Sequence, residues 1–220
     1  MDEQAVNSYR HPMLISPELK QEIESCHTEL RIHPERALIP VRRKAIYDLL
    51  NFGDPLHAKR TFKWLSIVTG RQTLPIWPQM WLDDYLPEHL INVAEGRMNN
   101  TVSIAMASIE ADNAWKRIEN LGVIDNDALI IERTFYVYVT AFEMLMEVLG
   151  RDPFKDVIID EHDTDSDLDP WSSDTALWAA AAHAGRVGDP NSDLQKRQIF
   201  WEWWLMEAIP TAINISAGNV

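Results

Sequence analysis

The chain has 220 residues, 46% of them hydrophobic, and its 34 Asp and Glu residues outnumber 20 Lys and Arg. This length fits a single domain, 1–220, that can bury roughly 70% of the surface exposed by the unfolded chain. A formal net charge of −14 disfavours binding to nucleic acid, which needs clustered Lys and Arg, and docking on an anionic membrane. Eight glycines are few for an all-β fold with many tight turns.

The compartment can be inferred from three features. Cys26 is the single cysteine, which excludes an intrachain disulfide and fits a reducing environment. Residues 1–15 are polar, lack the apolar core of a signal peptide, and are interpreted as a disordered N-terminal arm. The longest strongly apolar stretch, 135–149, contains Glu143 and Glu147 and is too short to span a bilayer. The sequence therefore predicts a soluble, cytoplasmic protein.

Helical start and stop signals recur along the N-terminal half. Ser16, Pro17 and Glu18 supply a hydroxyl cap, a proline in the first turn and a carboxylate near the positive helix end. The predicted helices of this half span about 17–31, 40–51, 54–69 and 86–96. In the second helix, the predicted apolar side is formed by Ala45, Ile46, Leu49 and Leu50. Residues 74–81 contain two prolines and are predicted to be a rigid connector whose tryptophans pack inward.

The C-terminal half has the same character. Apolar residues at spacings of three and four predict two long helices over about 104–118 and 130–148, the second ending before Gly150. A helix over 174–184 is rich in alanine and allows close packing, and the last helix, about 192–209, is apolar nearly all round. The only β-branched run, 157–159, is too short to predict a strand. The predicted fold is an all-α, single-domain, multi-helix bundle of about eight helices.

Residues 151–174, which we call the acidic segment, hold nine Asp and Glu residues against Arg151 and Lys155. Their net charge of −7 is half of the formal charge of the chain. A charged surface beside aromatic helices is typical of a protein that binds a basic partner, although a charge run can also be merely solvated. The predicted partner-binding residues are Asp163, Asp165, Asp167, Asp169, Trp171 and Asp174.

The same carboxylates are spaced like the ligands at positions one, three, five, seven and twelve of a calcium loop. Leu168, however, stands where the tight turn needs glycine, and Asp174 replaces the usual bidentate glutamate. These two departures disfavour a specific calcium site. The histidines form no pair at metal-ligand spacing on one helix, and Cys26 lacks a nucleophile signature. We therefore predict no catalytic residue, no metal and no cofactor.

Glu202 lies among three tryptophans of the last helix, at positions 201, 203 and 204. A bare carboxylate buried there would cost several kcal/mol, so we expect a cationic or amide partner and a structural role. The candidate cations are Arg42, Arg43, Lys59 and Arg60.

Three stretches carry a family resemblance: AKRTFKWLSIVTGRQTLPIW at 58–77, DPWSSDTALWAAAAHAG at 169–185 and KRQIFWEWWLMEAIPTA at 196–212. Together they resemble the all-α immunity-protein family numbered five of bacterial polymorphic toxin systems. Arg186 stands where members more often have a second glycine. The resemblance implies a cytosolic antidote that binds and neutralises a partner toxin, and it transfers no catalytic residue.

The favoured interpretation is thus a non-enzymatic immunity protein whose acidic surface meets a protein toxin, expected to be basic. Opposite charge would accelerate association and would compete with nucleic acid for the toxin. Two alternatives stay open. The first is a helical enzyme, such as a metal-dependent hydrolase using Asp163, Asp165, Asp167 and Glu202. The second is a helical protein-interaction scaffold.

Overall fold

A computed structural model of the protein describes residues 15–50, 55–79, 85–121, 129–169 and 172–218. Helices dominate these ranges, and no strand occurs in them. The helices are α1 (Pro17–Ile32), α2 (Pro40–Leu50), α3 (Pro55–Thr73), α4 (Leu86–Met98), α5 (Ile104–Leu121), α6 (Leu129–Leu149), α7 (Thr175–Ala184), α8 (Leu194–Trp203) and α9 (Ile209–Ser216). A π turn joins α8 and α9 into one continuous rod, so the described ranges contain eight separate α-helical rods. The predicted all-α bundle of about eight helices is confirmed. Residues 1–14 of the predicted N-terminal arm lie outside the described residues.

Side-chain caps explain where several helices begin. The Ser16 hydroxyl accepts a hydrogen bond from the Leu19 N–H at 3.1 Å, with Pro17 in the first turn of α1. Asp193 caps α8 by accepting a hydrogen bond from the Lys196 N–H at 3.0 Å. Each cap satisfies an amide that has no partner inside its helix. The signal read at Ser16 therefore places the start of α1 correctly, and α8 begins two residues after its predicted start near residue 192.

Helices α3, α6 and α7 form the centre of the bundle. Helix α6 packs against α3, α4, α5 and α7, and α3 also contacts α7 and α9. Four consecutive buried alanines, 179–182, let the backbone of α7 approach these neighbours closely. Helix α1 packs on α2 and α8 at one side. None of the helices in the described ranges combines the length and apolar character that crossing a bilayer requires.

The connector after α3 is a 3-10 helix, Leu74–Gln79. Trp77 is buried there and stacks on Tyr138 of α6 with ring centroids 6.1 Å apart. The inward packing predicted for the connector is thus confirmed for Trp77, whereas Trp81 lies outside the described residues. In the last rod Trp201 and Trp204 are buried edge to face, 5.7 Å apart. Burying such large rings stabilises the meeting point of α8 with the centre.

The last helix continues beyond its predicted end near Ile209. A π turn at Trp204–Ala208 widens the backbone, and the N–H of Ile209 bonds to the carbonyl of Trp204. Pro210 has no N–H to donate, and its ring would clash with the carbonyl four residues earlier in a regular α-helix. The wider turn accommodates the proline and lets α9 run on to Ser216. The predicted end of the last helix near residue 209 is therefore wrong.

Candidate partner-binding surface

The acidic segment is attached to the helical body through Arg43 of α2. This side chain is fully buried, and its Nε donates to Asp174 at 2.8 Å. Its two terminal nitrogens donate to the carboxylate of Asp165, and one of them also donates to the carbonyl of Leu38 at 2.6 Å. One guanidinium therefore holds the middle and the end of the segment together.

Aromatic rings complete the surroundings of Arg43. Its guanidinium carbon lies 5.8 Å from the ring centroids of Phe154 and of Trp201. Burial by itself would lower the pKa of Arg43, but the charges of Asp165 and Asp174 outweigh burial and raise that pKa above its ordinary value. The cation is thus permanently charged, and its removal would leave two carboxylates without their partner.

Asp174 is a structural residue. It is fully buried, caps α7 by accepting a hydrogen bond from the Leu177 N–H at 2.7 Å, and accepts a second one from the Tyr47 hydroxyl at 3.2 Å. Together with its bond to Arg43, these contacts use both carboxylate oxygens. Asp174 was predicted to be a partner-binding residue, but its side chain does not reach solvent and is used within the fold.

Glu147 near the end of α6 forms a second buried contact with the end of the segment. Its carboxyl group accepts hydrogen bonds from the N–H of Thr175 at 2.8 Å and from the hydroxyl of Ser66. Burial, with the negative charge of Asp174 as the second cause, raises the pKa of Glu147 to about 8. This group is therefore mostly an uncharged acid at neutral pH, and it links α3, α6 and α7 without an ion pair.

The start of the acidic segment is also fixed. Arg151, directly after α6, forms an ion pair with Glu143 and donates to the carbonyl of Ser173 at 3.3 Å. Burial lowers the pKa of Arg151 to about 10, so it is still charged at neutral pH. The first and last residues of the segment are thus brought together beside the C-terminal end of α6.

Between these attachments the chain folds into hydrogen-bonded turns. The N–H of Asp163 bonds to the carbonyl of Asp160 at 3.1 Å, and the Asp163 carboxylate accepts from the Asp160 N–H at 2.6 Å. The N–H of Asp167 bonds to the Thr164 carbonyl at 3.0 Å, and its carboxylate accepts from the hydroxyl and N–H of Thr164. Those bonds from the Thr164 hydroxyl and N–H lower the pKa of Asp167. Turns of this kind are typical of aspartate, which can bond to nearby backbone amides.

Between residues 160 and 169, four exposed carboxylates define what we call the exposed acidic face: Asp160, Glu161, Asp167 and Asp169. Asp163 is half-buried at its edge. Ile158, from the short β-branched run, forms no strand and is 94% exposed beside this face. Of the predicted partner-binding residues, Asp167 and Asp169 thus lie on the surface, whereas Asp165 is 17% exposed and paired with Arg43. Trp171 lies outside the described residues.

The calcium-loop spacing does not produce a ligand cluster in the described part of the chain. Those residues contain no group of three or more His, Cys, Asp or Glu side chains placed to hold a metal ion. Asp165 and Asp174, the third and twelfth positions of the supposed loop, are instead both bound to Arg43. Aspartates that are evenly spaced in the sequence therefore lie in two different environments: some bind Arg43, and others are exposed.

Glu202 has the cationic and amide partners that were expected for it, but the predicted burial and the candidate cations are wrong. Its side chain is 32% exposed, accepts a hydrogen bond from Gln198 at 3.0 Å, and lies 3.7 Å from both His27 and Arg31 of α1. Two of the candidate cations pair with other carboxylates. Arg42 pairs with Glu22 and Glu29, and Arg43 pairs with Asp165 and Asp174. Trp201 and Trp204 turn inward, and Glu202 occupies the opposite, half-exposed side of the rod. A carboxylate between tryptophans in sequence is thus not buried between them in space.

Sequence reasoning missed Arg43 and Glu147 as organising residues. One signal was present for Arg43, because it is three, four and seven residues before Ile46, Tyr47 and Leu50, the buried face of α2. A cation on such a face needs a buried counter-charge. Nothing local, however, pointed to partners more than 120 residues away.

The model of a family described as Immunity protein Imm5 matches residues 23–211. The chain belongs to the Imm5 family. The match runs from within α1 into α9 and includes Arg43, Glu147, Asp165 and Asp174. It confirms the resemblance of the alanine-rich and tryptophan-rich stretches to this family. No curated protein matches the chain significantly.

Proposed function

We propose that this Imm5 protein neutralises a partner toxin by binding it through the exposed acidic face. Membership of an immunity-protein family supports a role as a toxin antidote. The observation that carries the choice of surface is the attachment of the acidic segment at its start, middle and end by Arg151, Arg43 and Asp174. A charge run without a binding role would need no such fixed conformation.

Fixed geometry favours tight binding. Association costs roughly 0.5–1.5 kcal/mol for each mobile side chain that must be ordered, and a further cost applies to a mobile loop. The turns around Asp163 and Asp167 already hold the backbone in place before a partner arrives. The protein would therefore keep more of its interaction energy for the complex.

The charge of this face indicates the chemistry of the partner. Four exposed carboxylates within ten residues attract a basic surface and raise the association rate. Exposed Ile158 adds an apolar contact next to them, which suits an interface with a desolvated centre and a charged rim. The toxin would thus present Lys or Arg around an apolar contact, and neutralisation in the cytoplasm of the producing cell would need no catalysis.

The hydrolase alternative is less well supported. Asp165 is bound to Arg43, and Glu202 faces His27 and Arg31 of α1. Within the described residues, neither belongs to a group of carboxylates and histidines able to hold a metal. A binding role for the chain is consistent with both placements.

Coexpression tests the proposal. The protein should restore growth of cells that produce the toxin encoded beside its gene, and a purified pair should form a complex. Replacing the four residues of the exposed acidic face by Asn or Gln should slow association at least tenfold at low salt. The matched control removes four exposed carboxylates from helices α1, α4 and α5: Glu18, Glu88, Asp112 and Glu119.

The outcomes separate the claims. Failure of the unaltered protein to protect cells or to bind the neighbouring product would contradict the antidote role. Equal slowing in both four-fold variants would show that net charge matters and that the face does not. Binding unaffected by either variant would move the interface to another surface. The half-exposed side of the rod formed by α8, the π turn and α9, where Ile199 and Met206 are more than half exposed, would then be tested next.

A further inference from the structure

Charge is distributed unevenly along this acidic protein. Residues 36–71 contain eight Lys and Arg against Asp48 and Asp54, a net charge of +6 in a chain of −14. Part of this charge neutralises the acidic segment through Arg43. The rest includes lysines of α2 and α3 that face a cavity on the other side of Tyr47.

This cavity lies between α2, α3 and the first residues of the acidic segment, and its volume is about 550 Å³. Small-molecule sites in proteins commonly occupy about 300–1,000 Å³. Five cationic side chains line it: Lys44, Lys59, Lys63, Arg151 and Lys155. Three aromatic residues form part of its wall: Tyr47, Phe62 and Phe154.

Three of the five cations have no salt-bridge partner among the described residues: Lys59, Lys63 and Lys155. Lys63 is half-buried, and burial together with the positive charges of Arg97 and Lys59 lowers its pKa. Cations held near one another in a partly desolvated wall repel one another. A bound anion would remove this repulsion.

The carboxyl groups of the wall compensate only part of this charge. Glu147 is mostly protonated at neutral pH, since burial and the nearby charge of Asp174 raise its pKa to about 8. Asp48 pairs with Lys44, and Asp152 accepts a hydrogen bond from the Phe154 N–H at 3.0 Å. Asp156 is an exposed carboxylate of the lining. With Glu147 mostly uncharged, Asp48, Asp152 and Asp156 offset three of the five cations, and the wall keeps a net charge of about +2.

We propose that this cavity binds a small phosphorylated molecule with a flat ring, of the size of a mononucleotide. Lysine ammonium groups act as point charges for phosphate oxygens, and Lys59, Lys63 and Lys155 could contact one phosphate group from different sides. Half-exposed Phe62 offers an apolar surface for the ring. This site is separate from the exposed acidic face and does not depend on toxin binding.

Calorimetric titration at low salt with ADP, pyrophosphate and adenosine tests the proposal. ADP should bind with a Kd below about 1 mM, more tightly than pyrophosphate, and adenosine should bind most weakly. The Lys59→Gln, Lys63→Gln double variant should lose at least tenfold in affinity for ADP. The control is Lys20→Gln, Lys116→Gln, which removes two exposed lysines outside the cavity and should bind ADP as the unaltered protein does.

Circular dichroism of both double variants establishes that they fold before binding is compared. Absence of ADP and pyrophosphate binding at about 1 mM would overturn the proposal, and so would an equal loss of affinity in both variants. Pyrophosphate binding as tightly as ADP would keep the phosphate site and overturn the ring contact. The cavity variant should still protect cells against the toxin, since its exposed acidic face is unchanged.

Discussion

The acidic segment contains two sets of aspartates whose side chains are alike and whose surroundings are opposite. Asp165 and Asp174 surround the buried guanidinium of Arg43, whereas Asp167 and Asp169 point into solvent only a few residues away. The first set connects the segment to α2 and α7. The second set is exposed and belongs to the face that we propose binds the toxin. Local sequence composition predicts the same role for both sets. Their burial and their contacts with Arg43 show that the roles differ.

The difference is energetic. Breaking a buried ion pair by removing one partner costs about 3–5 kcal/mol, because the other charge is left desolvated and alone. An exposed charge is screened by water and salt and contributes little to folding. Substitutions in the buried set should therefore change stability, and substitutions in the exposed set should change association.

Replacing Arg43 by Met is expected to have the largest effect, a loss of roughly 3–5 kcal/mol in the free energy of unfolding. Asp174, which is fully buried, and Asp165, which is mostly buried, would lose their common cation. Urea denaturation followed by tryptophan fluorescence measures the loss. Arg42→Met is the matched control, since Arg42 is 31% exposed and pairs with Glu22 and Glu29 near the surface, so its loss should be about 1 kcal/mol or less.

A second variant sharpens the interpretation of the Arg43 result. Adding Asp165→Asn and Asp174→Asn to Arg43→Met should recover part of the lost stability, because the uncompensated charges are then gone. If Arg42→Met and Arg43→Met destabilise equally, the distinction between a buried and a surface set does not hold.

Replacing Glu147 by Gln should change how stability depends on pH. The pKa of Glu147 is raised in the folded state to about 8 from an ordinary 4.5, by burial and by Asp174. The stability contributed by its bound proton is therefore fully present below about pH 4.5 and is lost as the pH rises through about 8. Gln does not ionise and should gain on the order of 3 kcal/mol relative to Glu between pH 5 and pH 8.

Urea denaturation of both proteins at pH 5, 6, 7 and 8 provides the measurement. The exposed Glu119→Gln variant serves as control and should follow the unaltered protein at each pH. Parallel curves for Glu147→Gln and the unaltered protein would mean that Glu147 is ionised in the folded state, contrary to its burial against Asp174.

Glu202→Ala should cost about 1 kcal/mol or less. Glu202 is one-third exposed, and its contacts with His27 and Arg31 are 3.7 Å long. Thermal denaturation at neutral pH, compared with Arg43→Met, places this carboxylate in the exposed class. A loss of 3 kcal/mol or more would return it to the buried class expected from its tryptophan neighbours in sequence.

The smallest effect on folding is expected for the exposed acidic face. With its four residues changed to Asn or Gln, the melting temperature should stay within about 2 °C of the unaltered protein. The association rate with the toxin should fall, and the deficit should shrink with salt, since 0.1 M salt screens charges beyond about 10 Å. Asp165 is left out of this variant because it binds Arg43. A melting temperature lowered by more than about 5 °C would show that the exposed carboxylates also support the fold.

Most helices could be predicted because their signals are local. The cap at Ser16, the alanines of α7 and the periodic apolar residues of α5 and α6 act within one or two helical turns. The predicted end of the last helix near residue 209 was wrong, because a π turn accommodates Pro210 within a helix that is packed on several sides. Tertiary packing thus decided where that helix ends.

The candidate site was predicted only in outline. Composition located the acidic segment, and the exposed positions of Asp167 and Asp169 agree with a surface role. For Glu202 the kind of partner was predicted correctly, but its burial and the candidate cations were not. Glu147 was seen only as an interruption of an apolar stretch. Which face of a helix meets which neighbour depends on contacts between residues far apart in the chain, and local periodicity alone does not specify these.

The sequence by itself determined the helical content, the acidic character of 151–174 and the resemblance to an immunity-protein family, because each depends on local pattern or composition. Only the tertiary structure decided which aspartates are buried and which are available. Asp165 and Asp174 meet Arg43 across 122 and 131 residues of chain, in a space enclosed by aromatic rings. Desolvation and pairing, which fix the role of a charge, exist only once those distant residues have come together.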